Sequence, residues 1–564
     1  MFPINVTNFS ELFTGWQLAV YIVFSLLNAA LLFLSSLKFM LALQQGGYKY
    51  KRYFKWVSSP ETPYFKRLML LCLLGVLFFC VLNMCFSGML GETFASYIGF
   101  ISYFLFGALY IKSESSVNVK VPLKKTKRLI RLSITYFLCL AVVTFGLVTL
   151  LNYLAFIIGD EVFGLLRFAI ICLLPLLTPW LLFIAYCINE PFEEVVRRHY
   201  VAKATHILDH SNVIKIGITG SYAKTSVKEI LTTILSQKYR VLSTPASFNT
   251  PLGISLAVKR LDSTHDIFIA EMGARYKGDI KALAHIVKPT YAILTGVNNQ
   301  HLETFGSIEV TKNTKYELFD AISEYGGKGF FSTDNDCAIE LYNRFNGEKY
   351  LAGMGQTEKG EMDNLVTAVD VVTDARGTTF NLCIKGEQTV MCNTVLLGKH
   401  SVRNICLAAA VAYKLGLSAD EIAKGINRIK SVGHRLELLP NNKNIIIIDD
   451  SYNSNVDGTR AAMEVLDTFE GRKIVLTPGL VELGRMENVA NMEFGKLLAK
   501  HADIVFVIGT HNAEMIVSGL IEGGMNRENI RFAKSLNKAN EDLNEILAEG
   551  DVVLFENDLP DNYN

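Results

Sequence analysis

Five long apolar runs crowd the first third of this chain, and that placement limits what it can fold into. They extend from about Trp16 to Leu43, Leu68 to Phe86, Phe94 to Ile111, Leu129 to Tyr153 and Phe163 to Ile188. Each approaches or exceeds the ~20 residues that cross a bilayer as a helix. A single run could be a buried helix of a soluble protein; five in succession predict a multi-span helical membrane region over residues 1–190. A mean hydropathy of +0.27 with only 19% charged residues in 564 agrees with that division.

Loop charge sets the expected orientation, because Lys and Arg beside spans stay on the cytoplasmic side. Lys49, Lys51, Arg52, Lys55, Lys66 and Arg67 follow the first run, and Lys112, Lys120, Lys124, Lys125, Lys127 and Arg128 follow the third. The segment before Trp16 and the links at Glu92 and at Asp160 and Glu161 carry no Lys or Arg. The N-terminus is therefore expected outside, and everything after Arg197 in the cytoplasm. No basic stretch precedes the first run, so a cleaved signal peptide is not expected. A net charge of +1 gives no support for a polyanion binder, nucleic acid included. Ten cysteines without a CxxC pair exclude a disulfide framework or a zinc knuckle.

After a linker at 191–212 the pattern changes to short β-branched runs alternating with amphipathic helical stretches. VIKIGIT precedes SVKEILTTILSQ, DIFIAEM precedes GDIKALAHIV, and TYAILTGV precedes SIEVTKNTKYELFDAI. Such alternation predicts a parallel sheet covered by helices. Residues from about Gly353 to Val395 read as a smaller antiparallel insert. A second run, NIIIIDDSYN, KIVLTPG, DIVFVIG and DVVLFEND, predicts a separate Rossmann-like doubly wound domain. The expected fold is thus a multi-span α-helical membrane region followed by α/β: a P-loop-type central ATPase domain over 213–430 and a C-terminal domain over 431–564.

Within VIKIGITGSYAKTS a strand runs into a tight turn and then into a helix. Such a turn aims backbone N–H groups and the positive helix end at an anion. Gly220 and Ser221 form the turn, Lys224 is placed for β- and γ-phosphates, Thr225 for Mg2+, and Ser226 for the helix start. The strict phosphate-loop pattern is not met, since position 218 is Ile and Ala223 precedes the lysine.

Several motifs occur together in one order: TGSYAKTSVKEIL, SFNTPLGISLAV, EMGARYKGDI, HLETFGSIEVTKNTKYEL, LLGKHSVRN, GHRLELL, DDSYNSN and VELG. From about Val213 to the C-terminus the chain resembles the Mur ligases, nearest to the members that add D-alanyl-D-alanine to a muramoyl tripeptide. The resemblance implies ATP-dependent amide-bond formation through an acyl phosphate. It implies Glu271 and His301 as ligands of two Mg2+ sites. Lys315 matches the family's lysine that carbon dioxide carbamylates, with Lys312 the alternative. Asn404 matches a residue near the adenine, although Ser401 stands where the family has another asparagine. Arg435 and Asp450 match C-terminal-domain groups for the phosphates and the ribose.

Four departures accompany these matches. Ala223 replaces a loop glycine, Val456 replaces a turn proline, VLFENDLPDNYN lacks the Lys-Gly-Ser pattern expected of the tripeptide-adding members, and membrane runs occupy the place of the family's uridine-nucleotide domain. The reading that follows is a ligase held at the cell membrane. It joins a carboxylate substrate to an amino-acid or peptide acceptor on an envelope precursor or polymer, lipid-linked in one version, with partner envelope-biosynthesis proteins in reach. An inactive Mur-like scaffold and an anchored poly-glutamate or folylpolyglutamate type of ligase are the alternatives.

Overall fold

Among the described residues the apolar runs are largely helical. The computed structural model describes residues 15–59, 63–90, 92–115, 122–158, 169–246, 248–298, 302–355, 363–374, 376–441, 444–452, 455–481 and 483–557. The chain divides into two compact units, one ending at Val196 and the other running from Arg197 to Leu559.

In the first unit the runs become helices at Gly15–Ser35, Pro63–Leu90, Glu92–Ser115, Lys127–Ile158 and Thr178–Asp209. Among the described residues three segments are long and apolar enough to cross a membrane: Leu18–Ser35, Lys127–Leu154 and Ala169–Asp209. The expectation of five spans therefore rests on three here. The first run breaks at Ser36 before the short helix Leu37–Gln45, where the Ser36 hydroxyl donates to the Phe33 carbonyl at 2.9 Å. Such back-bonding competes with the helix ladder. Asn28 is buried and links helices, accepting from the Tyr103 hydroxyl at 2.8 Å and donating to Thr144 Oγ1 at 3.3 Å. Arg128–Glu190 at 2.7 Å and Arg131–Glu193 at 2.6 Å tie helix Lys127–Ile158 to Thr178–Asp209. The segment read as a linker is helical as far as Asp209, with Pro191 inside the helix.

The second unit holds two sheets. The first contains β1 (Ile214–Thr219), β2 (Val241–Ser243), β3 (Ile267–Glu271), β4 (Tyr291–Leu294), β5 (Lys328–Ser332), β6 (Glu348–Met354), β7 (Val366–Asp374), β8 (Gly377–Ile384) and β9 (Val390–Thr394), in the order 2-3-1-4-5-6-7-8-9. Pairing is parallel from β2 through β7, and β7, β8 and β9 are antiparallel. The antiparallel insert is thus an extension of the main sheet. Its first strand hydrogen-bonds β6, which leaves no edge between them.

Every residue of β3 is buried, as a parallel strand covered on both faces requires. Ile267 and Ile269 pack with Val227, Ile230 and Ile234 of helix Lys224–Leu235, while Phe268 and Ala270 face Leu318 and Phe319 of helix Ile308–Ser323.

The other sheet contains β10 (Glu437–Leu439), β11 (Ile446–Asp450), β12 (Lys473–Thr477), β13 (Ile504–Ile508), β14 (Ile530–Ala533) and β15 (Val552–Glu556), in the order 10-11-15-12-13-14. Only β10 is antiparallel. Helices Val456–Leu466, Glu487–His501 and Ala513–Glu522 cover one face, and Leu536–Ile546 covers the other.

Candidate active site

The turn after β1 carries the first cluster of functional groups. Gly220 is required there for space, because a Cβ would lie 2.0 Å from Thr295 Oγ1. Ala223 has φ 58° and ψ 2°, the left-handed region that an alanine enters at a cost of about 1 kcal/mol. Helix Lys224–Leu235 starts at the next residue. Lys224 Nζ donates to the carbonyls of Gly220 at 2.8 Å and Ser221 at 3.2 Å, so the ammonium curls back over the turn. Burial pushes its pKa down to about 8, the Glu271 carboxylate opposes that shift, and Arg435 adds to it.

Parallel pairing sets Glu271, the last residue of β3, beside Ile218 of β1 at the mouth of this turn. Its carboxylate accepts from Thr225 Oγ1 at 2.9 Å, Lys228 Nζ at 3.3 Å and Asn249 Nδ2 at 3.2 Å. Lys228 is fully buried and also donates to the Ala246 carbonyl. Sequence reasoning overlooked Lys228 and Asn249. Lys228 lies one turn beyond Lys224 in a polar helical pattern that reads as a solvated face, and only the fold reveals its burial.

The two candidate lysines on helix Ile308–Ser323 separate clearly. Lys312 is ion-paired to Glu309 at 2.5 Å and Glu340 at 2.8 Å, and these partners raise its pKa. Lys315 is buried, without a hydrogen-bond partner among the described residues, and its ammonium lies 5.8 Å from the Phe305 ring centroid. Burial lowers its pKa well below the usual lysine value, and the charge of Lys224 lowers it further. His301 lies outside the described residues.

A cavity of about 310 Å³ opens between the two sheets, lined by Tyr222, Ser226, His400, Asn404, Arg435 and Asp450 among others. Asn404 and Ser401 sit on helix Lys399–Lys414, and Ser401 Oγ is 3.1 Å from His400 Nε2. Burial holds His400 down to about 4, and Arg403 acts in the same direction. From the other sheet, Asp450 at the end of β11 accepts from the Leu436 N–H at 3.2 Å. Burial raises its pKa to about 6, against the pull of Arg435. Arg435 stacks over Tyr452, 4.7 Å from the ring centroid, between the left-handed residues His434 and Leu436. Asn455 caps helix Val456–Leu466, accepting from the Asp457 and Gly458 N–H groups, and also accepts from Asn298 Nδ2 at 3.2 Å across the domain boundary.

Among the described residues no three His, Cys, Asp or Glu side chains form a metal cluster. Glu271 and Thr225 alone suit Mg2+, which takes one or two protein oxygens and completes its shell with phosphates and water. The site therefore fits a nucleotide-borne magnesium ion.

Fold and site together define an α/β protein of two sheets with a polar cleft lined from both domains. The Mur ligase middle domain family matches residues 218–412, and the Mur ligase glutamate ligase domain family matches 434–556. The chain belongs to the Mur ligase superfamily and is an ATP-dependent acid–amino-acid ligase. It is 28% identical over 343 residues to the UDP-N-acetylmuramoyl-tripeptide--D-alanyl-D-alanine ligase of Bacillus subtilis (strain 168), covering 60% of this chain and 72% of that one. Among solved structures it resembles MurF from Acinetobacter baumannii, with TM-score 0.57, 23% identity and coverage of 64% and 77% of the two chains. The MurF ligase of Thermotoga maritima, solved in complex with ADP, has TM-score 0.56 at 24% identity, covering 64% and 80%.

Proposed function

We propose that the protein is a membrane-anchored carboxylate–amine ligase that modifies a cell-envelope precursor or polymer on the cytoplasmic side. The observation that carries this reading is the phosphate turn, which bears the Thr225–Glu271 pair and whose residues Tyr222, Ala223 and Ser226 line one cleft with Arg435 and Asp450. A phosphoryl transfer needs cations around the transferring oxygens, supplied from both sides of a closable site.

In the reaction, a substrate carboxylate oxygen bonds to the γ-phosphorus as its bond to the ADP oxygen breaks. The amine nitrogen then attacks the acyl carbon, phosphate leaves, and the nitrogen loses a proton. Magnesium held by Thr225 and Glu271, with a second ion at His301 and Lys315, would neutralise the phosphoryl oxygens. Lys224 meets the phosphates, Gly220, Ser221 and Ser226 shape the loop around them, and Asn404 serves the base. Arg435 serves the phosphates and Asp450 the ribose.

Lys315 suits carbamylation better than Lys312 does. Burial and the charge of Lys224 lower its pKa, which favours the neutral amine whose nitrogen can bond to carbon dioxide and release a proton. The modified side chain would be an oxygen-donor anion, whereas an ammonium would repel the metal ions.

Three helices of spanning length and the Lys and Arg distribution support anchoring. For a lipid-linked substrate the support is narrower. The apolar cavity described in the helical unit measures about 50 Å³, room for about two water molecules, so a tail would lie along the exposed helix faces.

The test is phosphate release by the full-length protein in detergent, screened over carboxylate and amine pairs. Release requiring both partners, lost in Lys224→Ala with unchanged thermal unfolding, is the expected result. Its absence for every pair would favour the scaffold reading. Short carboxylates should restore part of the activity lost in Lys315→Ala. Cysteine labelling of intact cells should reach a thiol near Asn8 and miss one at Lys125.

A further inference from the structure

Two basic segments far apart in sequence form one patch in the helical unit, outside the ligase site. After Gln45 the chain turns through the left-handed residues Gly47 and Tyr48 and runs back as helix Tyr50–Val57, so that the Trp56 ring meets Phe39 with centroids 6.0 Å apart. One face of this helix is fixed. Tyr53 and Val57 are buried, the Tyr53 hydroxyl donates to the Pro179 carbonyl at 3.1 Å, and the Phe54 ring meets Phe183 at 5.1 Å. Lys51 and Lys55, spaced like the buried pair, share the exposed face.

The second segment is clamped beside the first. Gln44 Nε2 donates to the Lys124 carbonyl at 2.8 Å, while the Lys124 N–H donates to Gln44 Oε1 at 2.9 Å. Thr126 Oγ1 then accepts from the Leu129 N–H at 3.1 Å where the next helix starts, and the Arg128 guanidinium lies 4.1 Å from the centroid of the Tyr48 ring. Lys124, Lys125 and Lys127 are exposed. Neither 44–59 nor 122–128 contains an Asp or Glu. Glu190 pairs with Arg128 at 2.7 Å, whereas Lys51, Arg52, Lys124, Lys125 and Lys127 have no carboxylate partner among the described residues.

We propose that this patch binds the headgroups of anionic phospholipids. Charge sets the sign of the ligand, and depth selects a lipid over a soluble anion. Pro179 and Phe183 lie within the apolar run that ends at Ile188, and Phe183 stands about 8 Å inside that end. Lysines on the outer face of a helix packed at that level extend along the apolar surface to reach lipid phosphates. Tyr50 and Trp56, on the same helix, are of the ring types that collect at the bilayer interface. A soluble acidic chain would have to enter the headgroup layer to meet Lys51. Roughly four to eight clustered Lys and Arg beside a spanning helix are enough for recognition of this kind. The assignment rests on the membrane-anchoring reading and names a lipid class for it.

The experiment places the full-length protein in phosphatidylcholine vesicles with a trace of chain-spin-labelled phosphatidylglycerol or chain-spin-labelled phosphatidylcholine. Electron spin resonance reads the fraction of each label that the protein immobilises. At about 20 mM salt the anionic label should associate at least about threefold more strongly, and at about 500 mM salt the ratio should fall towards unity. Lys51→Gln/Arg52→Gln/Lys124→Gln/Lys125→Gln should abolish the preference while ADP affinity holds. Gln44→Ala removes no charge but releases the second segment; it should roughly halve the preference, and it decides the matter if the quadruple variant fails to fold. Equal association of the two labels, a preference kept in the quadruple variant or unchanged in Gln44→Ala, or its loss on adding soluble poly-glutamate at constant ionic strength would overturn the assignment. Protein that does not float with the vesicles would refute anchoring and patch together, whereas protein that floats without lipid preference refutes the patch alone.

Discussion

The two sheets of the ligase unit each end a parallel strand on a carboxylate, and the two carboxylates are held in opposite ways. Glu271, closing β3, is met by a hydroxyl, an amide and a buried ammonium. Asp450, closing β11, receives one backbone N–H, and its pKa is raised to about 6 because burial outweighs the help of Arg435. A strand's C-terminal edge delivers a carboxylate to the crevice in both domains. The surroundings then give one three side-chain donors and leave the other a single backbone N–H. The His434–Leu436 segment, with two left-handed residues, sets Arg435 at the joint between the domains. The central domain is thus organised in advance, and the C-terminal domain completes the site.

Removing the buried partner should break that contrast most strongly. Lys228→Met leaves Glu271 as an uncompensated buried charge and should cost about 3–5 kcal/mol by chemical denaturation. Adding Glu271→Gln should recover much of that stability without recovering activity; a loss of under 1 kcal/mol in the single variant would show that Glu271 does not depend on Lys228.

Asp450→Asn should act in the opposite direction. A carboxyl whose folded pKa is raised penalises the fold above that pKa and is neutral to it below the unfolded value. The variant should gain up to about 3 kcal/mol at pH 7 and only about 0.5 kcal/mol at pH 4, while binding nucleotide more weakly. Equal stability changes at the two pH values would place the carboxylate in a water-like setting.

Nucleotide affinity sharpens the comparison from the lysine side. With the Lys224 pKa near 8, the free protein loses this charge as pH rises through 8, and binding must then take up a proton. ADP affinity measured by calorimetry should fall about tenfold between pH 7 and pH 9, with proton uptake on binding at the higher pH. Ala223→Gly gives the smallest change: relief of the left-handed alanine should raise stability by about 0.5–1 kcal/mol, reduced by the added freedom of glycine in the unfolded chain.

Much of the α/β half was legible because strand and helix periodicities are local. VIKIGIT, DIFIAEM, TYAILTGV, NIIIIDD, KIVLT, DIVFVI and DVVLFE all lie on strands. The short β2, the edge strand β10 and the exposed β14 were not read, since three or four residues carry too little pattern, and β5 and β6 were missed because KGFFS and EKYLAGM contain no β-branched residue. The insert after Gly353 was legible as antiparallel, whereas its hydrogen bonding to β6 depends on residues distant in sequence.

The site divides in the same way. Lys224 and Thr225 could be named as candidates from a strand–turn–helix pattern, because the chain itself sets those positions, and Glu271 from the family resemblance. Sequence alone also determined the apolar division of the molecule and the alternation of strands with helices after it. Tertiary structure decided which lysines are buried. Lys228 and Lys315 look like any helix lysine until a sheet and neighbouring helices exclude water from them, while Lys312, three residues from Lys315, keeps its carboxylate partners. Desolvation is a property of what packs around a group, and the packing of Lys228 against β3 and of Lys315 beside Lys224 exists only once the parallel strands have aligned.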